Sequence, residues 1–171
     1  LSAAALRQRL NGSSAREQAL LLMTGEPVCG VDVHHLQYTT VGGIEEHTTA
    51  SAALMLPTGT DPRCSGSRPL VLYAHGTNPA RRYNLAALTD DNNPAYGESL
   101  MLAAFYAAHG YVVVAPNYAG YDSSALGYHP FLLADQQSKD MIDAWSAART
   151  ALPLLGGSVT AGAKLFVTGY S

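Results

Sequence analysis

The chain has 171 residues, of which 47% are hydrophobic and 13% charged, and its formal net charge is −3. That length fits one domain or part of a larger one, and the apolar share allows a substantial core. A mildly acidic balance gives no basic patch for nucleic acid or an anionic membrane surface, and no apolar run approaches the roughly 20 residues of a transmembrane segment. Arg81 and Arg82 form an isolated basic pair, read as part of a solvated loop.

The chain opens at Leu1 with neither a Met nor a signal-peptide pattern. This reads as a processed or trimmed end and suits a mature secreted protein. Ser14 to Met23 is the first predicted helix. Its Ser14-Ala15-Arg16-Glu17 start matches a capping box, in which serine and glutamate satisfy each other's backbone donors, and Gly25 supplies the stop. Val31 to Val41, rich in Val, Thr and Tyr, reads as a strand. Gly42-Gly43 is a turn, and Glu45 to Leu56 returns as a second strand with Ala52, Leu54 and Leu56 on one face. Pro57 to Pro69 is a loop of Gly, Ser, Pro and Thr.

Cys29 and Cys64, the only cysteines, flank this hairpin. Two readings stand. A disulfide would close a loop of a few dozen residues, contribute about 3–4 kcal/mol in the chain-entropy estimate and place the protein in an oxidising compartment, secreted or periplasmic. The other reading is two free buried thiols, which the Gly- and Pro-rich surroundings favour less.

From Leu70 the pattern changes. Leu70 to Ala74 is a continuous apolar run, as in a strand covered on both faces. Glu98 to His109 carries Leu100, Met101, Ala104, Phe105 and Ala108 at helical spacing, with Gly110 as the stop. Tyr111 to Ala115 is a second buried strand, ended by Pro116. After a long loop through Gly127, Pro130 fits the first turn of a helix running to about Leu152, with Met141, Trp145, Ala148 and Leu152 as its buried stripe. Asp135, Lys139 and Asp143 stand four apart on a solvated face. Lys164 to Thr168 reads as a short buried final strand. Strands alternating with helices imply crossovers and a parallel sheet. The expected fold is therefore α/β, an antiparallel hairpin followed by parallel strands with crossover helices.

In an open α/β sheet, ligands gather at the carboxyl ends of the strands. Three loops reach that edge: His75-Gly76-Thr77-Asn78-Pro79, Asn117 to Asp122, and Gly169-Tyr170-Ser171. The last matches the first part of G-x-S-x-G, a sharp strand-to-helix bend that exposes a serine hydroxyl. A serine needs a base to take its proton and two backbone N–H groups aimed at the developing oxyanion. Gly169 is needed before the serine because neighbouring strands crowd the bend, and the His75-Gly76 pair lets its loop backbone come close enough to offer one N–H. Taken alone, G-Y-S is as compatible with a surface turn. The order of the whole arrangement is what carries weight.

YAHGT, GYVVVAPNYAGYDSS, HPFLLADQQSKDMIDAWSAAR and LFVTGYS together resemble the N-terminal half of an α/β-hydrolase, in particular bacterial secreted lipases and esterases of the secretory-lipase type. The resemblance implies a single domain over residues 1–171, with a helical segment at 1–30 and the sheet and its helices at 31–171, truncated at the nucleophile elbow. It implies a serine hydrolase cleaving small carboxylic esters or lipids through an acyl-enzyme on Ser171. Thr77 would give one oxyanion N–H, and His75 and Gly76 would shape that loop. Gly169 and Tyr170 would form the nucleophile turn. The second glycine, the second oxyanion donor, the catalytic acid and the histidine of the pattern are not in this sequence. A C-terminal segment, in the same chain or as a separate one, is expected to supply them.

No other histidine fills that gap. His34 and His35 are adjacent on a strand and point to opposite faces. His47, His109 and His129 have no partner pattern. With no C-x-x-C and no regular His spacing, no metal or other cofactor is expected. Tyr118, Tyr121 and Asp122 are candidates for lining the substrate pocket, against packing under a lid for the tyrosines and turn formation for Asp122. Two other functions fit the same fold: a serine peptidase, which shares nucleophile and oxyanion hole, and a non-catalytic binding module.

Overall fold

The computed structural model describes residues 1–12 and 14–170, with the backbone alone at Arg16. Two short helices open the chain. In α1 (Ala3–Leu10) the Ser2 hydroxyl caps by accepting from Ala5 N–H at 3.1 Å, and Leu6 and Leu10 are fully buried. Burying such a leucine contributes about 1.5–3 kcal/mol. The sequence reading missed this helix. In α2 (Ala15–Thr24) the expected capping box is present: Ser14 Oγ accepts from Glu17 N–H, and the Ser14 N–H donates to Glu17.

Strands β1 (Gly30–Val41) and β2 (His47–Thr58) form the expected hairpin, in unbroken register from Gly30 opposite Thr58 to Val41 opposite His47. The turn closes with Gly42 N–H donating to the Glu46 carbonyl at 2.8 Å. Three further strands follow: β3 (Gly66–Ala74), β4 (Val112–Pro116) and β5 (Val159–Gly169). The sheet order is β1-β2-β4-β3-β5. The hairpin joins antiparallel through β2 and β4, whereas β4, β3 and β5 run parallel. The β3–β5 register shifts between Arg68 and Leu70, at Pro69, which has no N–H for a ladder.

Two layers of helix cover the sheet. Val113, Ala115, Ala53 and Met55 face a cluster that includes Leu6, Leu10, Leu20 and, from α3 (Tyr96–Phe105), Leu100, Leu102 and Ala103. The alternate residues Val112, Val114, Ala52 and Leu54 face Ala144 and Ala148 of α4 (Ala134–Ala151). The strand period of two thus divides one sheet between two cores. Cys29 and Cys64 form a disulfide, tying the start of β1 to the turn before β3.

Three expectations are corrected. Pro130 does not open α4. Leu132, at φ +61, is in the left-handed region and breaks the helical path, so the helix begins at Ala134. The buried face of α4 is also rotated from the predicted stripe. It runs through Gln136, Asp140, Ala144 and Ala148, while Met141 and Trp145 are only partly buried. The final strand is longer than expected and is not buried: Leu165, Phe166 and Val167 are 40%, 49% and 69% exposed.

Candidate active site

Glycines let the ends of β3 and β5 interlock. Gly169 pairs with Ala74, and a Cβ on Gly169 would stand 2.9 Å from the Ala74 carbonyl oxygen. Tyr170 N–H donates to that same oxygen at 3.0 Å. On the other side, a Cβ on Gly76 would meet Tyr170 at 3.1 Å. Larger residues at either position would push the turn and the H-G loop apart. Ser171, the expected nucleophile, lies outside the described residues.

His75 is buried beneath this loop. Its ring stacks between Tyr83 and Tyr118, with centroids 4.5 and 4.3 Å away. Nδ1 lies 2.6 Å from the Gly76 carbonyl and Nε2 3.1 Å from the Asn117 carbonyl. Burial holds its pKa below the usual histidine value, against the opposing pull of the Asn117 and Gly76 carbonyls. The stack is fixed from below by Glu98, which accepts from Tyr73 at 2.6 Å and Tyr83 at 2.5 Å.

The loop after β4 is held by buried polar groups. Tyr118 has φ +68, a conformation rarely adopted outside glycine. The next N–H, of Ala119, donates to Asp140 at 2.6 Å, and Asp140 also accepts from the Tyr38 hydroxyl and from Gln136. Burial pushes the Asp140 carboxyl above its ordinary pKa despite these donors. Gly120, at φ +91, packs so closely that a Cβ would lie 2.1 Å from the Tyr128 carbonyl oxygen.

Arg81 and Arg82 lie exposed in a loop, as expected, but Arg81 is also tied to the chain. Arg81 donates to the carbonyls of Gly120, Leu126 and Ser124 at 3.0, 2.7 and 2.9 Å. A guanidinium with five fixed donors can hold three carbonyls at once. Arg82 donates to the Asn92 carbonyl.

Two adjoining clefts, of about 370 and 290 Å³, open at this edge. Ala74 to Thr77, Gly169 and Tyr170 floor the first, beside Tyr118. Tyr121 lies in the second, and Thr77 lines both. No N–H of Gly76, Thr77 or Asn78 donates to another described residue. Asp122 lines neither cleft. It has φ +47 and serves as a hub, accepting from Ser51 at 2.7 Å, His35 at 2.6 Å and Asn84 at 3.1 Å.

The sequence reading gave His129 no partner pattern and did not single out Phe131 or Gln137, yet His129 and Phe131 line both clefts and Gln137 the first. The available signal was the apolar Pro130-Phe131-Leu132-Leu133 run, whose Phe131 and Leu132 are 53% and 78% exposed. Among the described residues, no group of three or more His, Cys, Asp or Glu could hold a metal ion, and no helix is long and apolar enough to cross a membrane.

The arrangement has counterparts among solved structures. The rice cell wall degrading esterase LipA from Xanthomonas oryzae superposes with a TM-score of 0.73 at 34% identity, over 90% of this chain and 37% of its own. The chain carries part of the α/β-hydrolase fold. A protein of Legionella pneumophila described as a candidate hydrolase shares the fold at 24% identity and a TM-score of 0.68, over 91% of this chain and 40% of its own. The chain thus spans less than half the length of the α/β-hydrolases it matches. No protein-family model matches it, and no curated protein does.

Proposed function

We propose that this chain is the N-terminal part, over residues 1–171, of a single-domain serine hydrolase that cleaves carboxylic esters. Ser171 is the nucleophile and forms an acyl-enzyme. The Thr77 N–H, which no described residue engages, gives one oxyanion donor. His75 and Gly76 hold its loop against the Gly169–Tyr170 turn. A C-terminal segment supplies the acid, the histidine and the second donor, and packs over the exposed apolar residues of β5. The observation that carries this reading is the interlock of Gly76 with Tyr170 at the floor of a cleft, in a chain 34% identical to an esterase. The disulfide favours an oxidising compartment, secreted or periplasmic.

The chemistry follows from the parts. The histidine takes the Ser171 proton as Oγ attacks the ester carbonyl, and the C–O bond to the alcohol breaks as that proton is returned to it. Water then repeats the sequence on the acyl-enzyme and releases the acid. The test is Ser171→Ala in the full-length protein, assayed on a p-nitrophenyl ester. The expected loss in kcat is on the order of 10⁴-fold or more. Retained turnover would assign the nucleophile elsewhere.

A further inference from the structure

We propose that the cleft beside Gly76 and Tyr170 recognises an ester bearing hydroxyl groups, and that His129 and Gln137 determine this specificity. The proposal rests on the ester-hydrolase reading above. Phe131, Leu132 and Tyr170 give this cleft apolar walls, but Thr77, His129 and Gln137 line it as well.

The tautomer of His129 follows from its neighbour. Its Nδ1 lies 2.8 Å from the Ala119 carbonyl, which can only accept, so Nδ1 carries the proton. In the neutral ring, Nε2 is then an acceptor, and it has no partner among the described residues. The ring cannot easily turn away, because it packs on Tyr121 at 4.5 Å and on Tyr118 at 6.0 Å. Gln137 contrasts with Gln136 beside it. The Gln136 NH2 donates to the Val41 carbonyl and to Asp140. The Gln137 side chain bonds no other described residue, although its backbone is fixed in the first turn of α4 by a 3.0 Å bond to Leu133.

A plain alkyl group seated here would strip water from these groups and return nothing. A hydroxyl can donate to His129 Nε2 and can accept from the Gln137 amide, so substrate hydroxyls return what the water gave. An unmet polar group costs about 1–3 kcal/mol when desolvated, so the cleft discriminates against the deoxygenated analogue.

The test uses the full-length protein and two matched ester pairs: 1-monobutyrylglycerol against propyl butyrate, and ethyl 3-hydroxybutyrate against ethyl butyrate. We expect kcat/KM to favour the hydroxylated member of at least one pair by about tenfold, the equivalent of one hydrogen bond of about 1.4 kcal/mol. In His129→Phe and in Gln137→Leu that ratio should fall toward one. Wild-type ratios near one in both pairs overturn the proposal without recourse to any variant, as does a ratio that survives in both variants. If the wild type hydrolyses none of the four esters, the ester reading itself fails and the specificity falls with it.

Discussion

At Asp140, burial outweighs three hydrogen-bond donors and the carboxyl titrates above its ordinary value. At Asp122, burial also pushes upward, but the bonds from Ser51 and His35 outweigh it and the net shift is downward. The two therefore carry opposite pH signatures. Between about 3.9, the unfolded value, and its raised folded value, Asp140 holds more protons folded than unfolded. Its contribution is full below the unfolded pKa and is lost as pH rises through the folded one. The contribution of Asp122 is present above the unfolded pKa and is lost as pH falls through its depressed folded one. Urea unfolding across pH checks both. The gap between Asp140→Asn and wild type should move in favour of the variant as pH rises above about 4. The gap between Asp122→Asn and wild type should move in favour of the variant as pH falls below about 4. Parallel curves for either variant would reject the assignment. Gly120 gives a sharper residue-scale test. With φ +91 and a Cβ contact of 2.1 Å to backbone, Gly120→Ala should cost on the order of 2–3 kcal/mol in strain and displacement. A chemical denaturation curve within 0.5 kcal/mol of wild type, about the scatter of neutral surface changes, would contradict this.

Among the elements, what was legible in the sequence is what neighbours in sequence decide. The α2 capping box, the Gly42-Gly43 turn and the period-two faces of β2 are local signals, and each is present in the fold. The missed features are long-range. Nothing local marks Asp140, because its partner Tyr38 lies 102 residues away. The role of Arg81 as a tether went unread because the carbonyls it binds lie 39 to 45 residues on. Helix α1 went unread because its eight residues offer only two buried leucines, too few for a period. Arg81 also sets an element-scale prediction. Arg81→Ala frees three carbonyls, so amide exchange in residues 118–128 should speed up by about tenfold or more, while the β1–β2 ladder stays protected. Equal protection in that loop would mean that Arg81 is dispensable to it. The Cys29–Cys64 disulfide joins two elements 35 residues apart. The double Cys→Ser variant should lose about 3–4 kcal/mol, read from urea midpoints.

For the whole molecule, the sheet order puts the H-G loop, the loop after β4 and the Gly169–Tyr170 turn on one edge, as the sequence order of strands implied. The cleft walls were harder to foresee, because His129 and Gln137 reach the site only through the irregular Gly120–Leu133 path, which no periodicity marks. The exposure of Phe166 and Val167 on β5 accords with a chain spanning 37% of the length of an esterase that it resembles. The account stands or falls on which atom attacks the ester. The most direct measurement is to treat the full-length protein with an organophosphate that phosphorylates activated serines, then map the adduct by peptide mass spectrometry alongside residual ester turnover. The account predicts one adduct, on Ser171, formed in step with loss of activity. An adduct on another residue, or full inactivation with Ser171 unmodified, would contradict it.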